Sequence, residues 1–144
     1  MSFPATNNSK TGVCEAHNDV CKTPVQVAAA EGTEVPVAYT NVAVLRQATL
    51  PTLSRKVFIV GKHAATTATE IWMSTGNEAG TGGGVVSGSV AGPCRIKTGS
   101  QKVFVEGREG AYLGVMVAHN NTSNPNMPVG TQVHASQEKV FFGP

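Results

Sequence analysis

One short phrase occurs three times in this chain and constrains most of what it can fold into. It reads Lys56-Val57-Phe58-Ile59-Val60-Gly61, then Lys102-Val103-Phe104-Val105-Glu106-Gly107, then a clipped Lys139-Val140-Phe141-Phe142-Gly143. Val57 and Val103 stand 46 residues apart, Val103 and Val140 only 37, so the units are related but unequal, as in a closed object whose turns differ in size. The flanks repeat as well. Ser54-Arg55-Lys56 leads the first copy, Ser100-Gln101-Lys102 the second, and Ser136-Gln137-Glu138-Lys139 the third, with one residue inserted. Gly61-Lys62-His63-Ala64-Ala65 then stands against Gly107-Arg108-Glu109-Gly110-Ala111. Each unit reads as a hairpin: a β-branched and aromatic run, a turn containing glycine, and a second run of small residues.

The residue balance agrees with strands. Valine occurs 20 times and leucine 4 times, and β-branched side chains fit a pleated strand better than a helix. Sixteen glycines and eight prolines supply many tight turns. At 144 residues the chain forms one domain, with residues 1–12 as a flexible N-terminus and 13–144 as the folded unit. The expected class is all-β: a compact cone of β-hairpins with pseudo-threefold repeats and at most one short helix, at Thr66–Ser74. Ile71, Trp72 and Met73 lie in that segment; Trp72 and Tyr112 are expected to plug the interior, the alternative being that Trp72 anchors an effector or a spike partner.

Charged residues make up 14% of the chain and the net charge is +2. That is too little basic density for a phosphate-binding footprint, so nucleic acid is excluded as a partner. The first ten residues lack the basic start and apolar run of a secretory signal, and no apolar stretch approaches the ~20 residues of a membrane helix. Synthesis in the cytoplasm is expected. Three cysteines, an odd number in a reducing compartment, argue against a disulfide framework and leave metal binding or plain burial.

From Val25 to Val44 small and apolar residues alternate around Gly32, with Pro36 marking an edge or an irregular extended passage. A glycine-rich loop follows at Thr75–Gly84. Its run Gly80-Thr81-Gly82-Gly83-Gly84 lacks a following Gly-Lys-Ser or Gly-Lys-Thr, so it reads as backbone turning where side chains do not fit, not as a phosphate cradle.

A hydrolase would need a nucleophile with its base. Ser87 lies outside any glycine-flanked elbow, and Glu70, Glu78, Glu106 and Glu109 are not paired in sequence. Cys94 with His119 or His134 is the remaining catalytic combination, set against simple burial of Cys94 after Pro93. His63 and His134 read as surface or turn histidines. No enzyme activity is expected.

Cys14, His17 and Cys21, with two and three residues between neighbours, carry soft and imidazole donors on one short segment. A structural zinc site needs a fourth ligand. The bland reading leaves Cys21 and Cys94 as small buried apolar residues and His17 in solvent.

Several segments together resemble the PAAR-repeat proteins, and more closely the PAAR-like branch found with type VI secretion and related contractile injection systems. They are Asp19–Pro24, Val35–Asn41, Ser74–Gly88, the two full repeats, and Ala118-His119-Asn120. His63-Ala64-Ala65-Thr66 and Glu109-Gly110-Ala111-Tyr112 stand where simpler members have Pro-Ala-Ala-Arg. The resemblance implies a noncatalytic spike tip that docks by its base on a trimeric VgrG-type spike, one tip per trimer. It implies effector proteins as further partners, transient contact with a target membrane, and secretion from the injection apparatus. The alternatives are a secreted effector with hydrolase activity, or an adaptor that recruits separate toxins. The resemblance also implies a structural zinc near the apex, with His119 completing the set Cys14, His17, Cys21 and His119.

Overall fold

The computed structural model describes residues 1–25 and 33–144, and among these every regular element is a strand except two 3₁₀ turns, Leu45–Gln47 and Leu50–Thr52. The all-β expectation holds. The helix expected at Thr66–Ser74 does not form. Its threonines satisfy backbone groups that a helix would have used: the Thr66 amide donates to Thr69 Oγ1 (3.0 Å), the Ala68 amide to Thr66 Oγ1 (3.2 Å), and the Thr69 hydroxyl to the Thr52 carbonyl (3.0 Å). Glu70–Ile71 instead forms a strand, β6, beside β8 at Cys94–Ile96. Trp72, expected inside, is 61% exposed.

Seven strands make one antiparallel sheet. Its spine is a ribbon of β2 (Val13–Val25) and β3 (Thr33–Val44), paired from Val13↔Val44 to Val25↔Thr33. Gly32 lies outside the described residues. Pro36 sits in β3, the terminal strand of the sheet path, where its missing N–H leaves no ladder bond unmade. From β2 the sheet continues through β12 (Met127–His134), β11 (Met116–His119), β8 and β6, while β7 (Gly83–Gly84) pairs with β2. A register shift between Ala16 and Asp19, with Asn18 at φ 61°, bends β2 in its middle.

The repeat phrases build a second assembly. Phe58–Ile59 (β4) pairs with Lys62–His63 (β5), and Phe104–Val105 (β9) with Arg108–Glu109 (β10). Both turns have positive φ at two successive residues, 51° and 73° at Val60-Gly61 and 50° and 81° at Glu106-Gly107, the backbone twist that suits a two-residue hairpin. The third phrase, Phe141–Phe142 (β13), pairs with β1, Phe3–Pro4. The amino terminus thus supplies the second strand of the third hairpin.

This overturns the reading of residues 1–12 as flexible. Ala5, Thr6 and Asn7 are 0 to 1% exposed, and the Thr11 hydroxyl donates to the Ser136 carbonyl at 3.0 Å. The polar residues of this segment hide a copy of the repeat. Its Pro4-Ala5-Thr6-Asn7 corresponds to His63-Ala64-Ala65-Thr66 and Glu109-Gly110-Ala111-Tyr112, and backbone bonds prove the equivalence. Thr6 N donates to Ala111 O, Ala111 N to Ala65 O, and Ala65 N to Thr6 O, at 2.9, 3.0 and 3.0 Å. A second ring follows: Leu113 N to Pro4 O, Asn8 N to His63 O and Thr67 N to Glu109 O, at 2.8, 3.2 and 3.1 Å. The chain closes on itself as a pseudo-threefold collar.

The collar also corrects the alignment of the third repeat. Ser54 Oγ accepts from Val57 N (3.0 Å) and Ser100 Oγ from Val103 N (2.9 Å), while Gln137 Oε1 accepts from Val140 N (2.8 Å). Gln137 therefore occupies the serine position, three residues before valine in every copy, and nothing is inserted.

Two apolar clusters fill the interior. Ile59, Val105 and Phe142, the residues after the exposed phenylalanines, meet Ala5 and Ala64 beneath the hairpins. Leu45, Ile71, Ile96, Val115 and Val117 form the larger cluster with Cys14, Cys94, Ala65 and Ala111. Tyr112 packs against both and stacks on Phe3 with centroids 5.4 Å apart, filling the plugging role expected of it.

Candidate functional site

The four residues expected to hold zinc fall on different surroundings. On either side of the bend in β2, Cys14 and Cys21 both point inward and are fully buried, whereas His17 at the bend points outward. The His17 side chain is 70% exposed, its Nε2 3.8 Å from Glu15 Oε2. Cys14 belongs to the large apolar cluster beside Cys94. His119 is fully buried; Asn41 Nδ2 lies 3.3 Å from its Nδ1, and its Nε2 has no hydrogen-bond partner. That orphaned Nε2 is the single observation in favour of a ligand. As a set the four do not fit a zinc ion, because the strand turns His17 to the opposite face. Among the described residues no group of three or more His, Cys, Asp or Glu side chains is gathered closely enough to hold a metal.

What stands in the interior is a carboxylate held by amides. Asp19 is fully buried. Asn77 Nδ2 donates to its Oδ2 at 2.7 Å, Asn126 Nδ2 donates to Oδ1, and Asn120 Nδ2 reaches Oδ1 at 3.5 Å. The Cys21 thiol lies 3.9 Å from the same Oδ1. Each asparagine then turns its own oxygen to the glycine-rich passage: Asn126 Oδ1 accepts from Val86 N and Ser87 N (2.8 and 3.2 Å), Asn77 Oδ1 from Ala91 N (2.9 Å), and Asn120 Oδ1 from Gly92 N (2.9 Å). One side chain thereby fixes a loop that has almost no apolar residues to bury. Gly80 and Gly84 permit the approach, since a Cβ there would stand 2.4 Å from Cys21 Cβ and from Asn126 Cγ. The glycines are there for close packing, as their sequence suggested. A parallel chain runs from Asn41 Nδ2 to Ser74 Oγ (2.9 Å) and on to the Gly92 carbonyl (2.6 Å).

Sequence reasoning named segments of this cluster but not its hub. Asp19–Pro24, Ser74–Gly88 and Ala118–Asn120 are separate pieces in the sequence, and the structure brings them together at Asp19. The signal in the sequence is an acid on the strand-like run Val13–Val25, with asparagines in two polar loops.

His119 carries a pH prediction. Burial drives its imidazole down to about 4, below the ~6.5 of an unfolded chain. Between those values the unfolded chain binds a proton that the folded one refuses, so stability falls as pH drops through 6.5 and levels off near 4. The expected loss is on the order of 3 kcal/mol. Melting curves from pH 7 to 4 should show a steeper decline for the parent than for His119→Gln; parallel curves would refute the assignment.

The collar presents a second feature. Phe58, Phe104 and Phe141 are 55, 59 and 50% exposed at equivalent positions of the three arms. The residue after each is buried: Ile59, Val105 and Phe142 are 4, 4 and 8% exposed. Folding explains the second set and not the first. His63 lies in β5, its Nδ1 2.8 Å from the Ser54 carbonyl and its ring 4.8 Å from that of Phe58. Glu78 and Glu106 also serve turns, Glu78 accepting from Thr75 Oγ1 and Glu106 from Ser54 Oγ, both at 2.5 Å.

A family model described as the toxin PAAR-like domain matches residues 12–126. The chain belongs to the toxin PAAR-like domain family. The match covers the ribbon, the Asp19 cluster and both full repeats; the third phrase and the amino-terminal strand that completes the collar lie outside it. Membership associates this PAAR-like protein with the spikes and toxins of type VI secretion. Comparison with curated proteins gave no match, and comparison with solved structures gave none.

Proposed function

We propose that this PAAR-like protein is a noncatalytic tip that caps and sharpens a trimeric VgrG-type spike, for membrane puncture and effector delivery. The observation that carries the reading is the ring of three exposed phenylalanines on a closed pseudo-threefold collar. An aromatic side chain left half in water loses free energy that a partner's pocket restores, and aromatic anchors dominate interface energetics. A single chain that repeats one anchor three times matches one threefold partner. One tip per trimer follows, with the protein made in the cytoplasm, loaded on the apparatus and expelled with the spike.

The mechanical side of the reading rests on the same collar. Its six ring hydrogen bonds join the three arms in closed cycles, so no arm shifts without breaking bonds on both neighbours. The hydrolase alternative gains no support from Cys94: its thiol is fully buried, pushed up to about 11 chiefly by desolvation, and directed at the Gly92 carbonyl.

The test is a mixture of the protein with its spike trimer, followed by native mass spectrometry. One tip per trimer is expected, and Phe58→Ser/Phe104→Ser/Phe141→Ser should weaken binding at least ~100-fold at unchanged melting temperature. Three tips per trimer, or a triple variant that binds normally, would overturn the reading.

A further inference from the structure

Aligning the three arms on the collar's backbone bonds shows which positions repeat and which drift. Residues 59, 105 and 142, buried under the arms, are Ile, Val and Phe. Residues 55, 101 and 138 are Arg, Gln and Glu, so charge at that point is not retained. At residues 62, 108 and 3, opposite the turns, the arms carry Lys, Arg and Phe. Two exposed positions do not drift: Lys56, Lys102 and Lys139 stand two residues ahead of Phe58, Phe104 and Phe141 in every arm. Val57, Val103 and Val140 between them repeat as well, the first two packed against the cluster beneath the arms, so packing explains the valines but not the exposed lysines and phenylalanines. Among the described residues none of these lysines has a carboxylate oxygen within 4.0 Å. Glu106, the acid of the second arm's turn, is engaged with Ser54 and the Arg55 amide and lies near Lys56 alone of the three lysines without coming within 4.0 Å of its ammonium, and Glu138 is present in the third arm alone.

We propose that the partner surface carries three copies of one composite pocket, an apolar socket for phenylalanine bordered by a carboxylate for the neighbouring lysine. The inference rests on the spike-docking reading and gives the partner's chemistry: a threefold protein with an acidic ring around an apolar end. Apolar contact supplies affinity, and the lysine ring steers encounter and selects the rotational register of the tip. The cations that do not repeat play no such part.

Titration of the protein against the purified VgrG-type spike trimer, from 50 to 300 mM NaCl, tests this. Lys56→Gln/Lys102→Gln/Lys139→Gln should weaken binding at least ~10-fold at the lowest salt and flatten the salt dependence. Arg55→Gln/Lys62→Gln/Arg108→Gln removes the same charge from non-repeated positions and should stay within ~2-fold of the parent. Salt-independent binding by the parent, or equal losses in the two triple variants, would overturn the acidic socket while leaving docking intact. Absence of binding at every salt concentration would overturn the spike reading and this inference with it.

Discussion

Asp19→Ala should lower the melting temperature by roughly 10 °C or more. The side chain is fully buried and accepts hydrogen bonds from Asn77 and Asn126, with Asn120 at 3.5 Å. Removing it strands amide donors in a water-poor interior, and stranding a buried hydrogen-bonding group costs about 1–3 kcal/mol each. Their escape is blocked. Flipping an asparagine to present its oxygen would break the bonds that its oxygen already accepts from Val86, Ser87, Ala91 or Gly92. The sum, about 3–5 kcal/mol, corresponds to the stated shift for a domain of this size. Asp19→Asn keeps the shape and one acceptor and should lose about half as much. Hydrogen exchange adds a local readout: the amides of Val86, Ala91 and Gly92 should lose protection before those of β2. A variant melting within ~3 °C of the parent would show that the carboxylate does not hold the loop.

Strand content, turn positions and the repeated phrase were legible in the sequence because they depend on local pattern. Val-Phe runs, Gly at positive φ and the period between copies are all visible within a dozen residues. The site was legible only in pieces. Asp19 and Asn126 are 107 residues apart, and nothing in either segment marks the other as its partner. Soft ligands on β2 suggested a metal because their spacing in sequence ignores the bend at Asn18, which sends His17 outward while Cys14 and Cys21 remain inside. The third arm is legible only by half, for a different reason. Its two strands come from opposite ends of the chain, so no sequence window contains both, and Gln137 supplies by side chain the turn bond that serine makes in the other copies.

Deleting residues 1–7 tests whether the collar is the structural centre of the protein. If the segment were a tail, removal would leave the melting temperature where it was. The geometry demands otherwise. Ala5 N donates to Val140 O at 2.8 Å, Thr6 links Ala111 to Ala65, and Gln137 Nε2 donates to the Ala5 carbonyl at 2.7 Å, so each remaining arm loses a partner. Burial is lost too, because Phe3 leaves the face of Tyr112 and Ala5 leaves the cluster of Ile59, Val105 and Phe142. Several unpaired backbone groups together with an opened apolar cluster amount to at least about 4 kcal/mol, a large share of a typical domain's 5–15. The expected result is a fall of more than ~10 °C in melting temperature and loss of spike binding, because Phe141 no longer sits on a strand paired in register with its equivalents. The milder Thr6→Pro removes one amide from the ring and should follow the same direction at smaller size. A truncated protein that melts with the parent would refute the closed collar, and with it the threefold match on which docking depends.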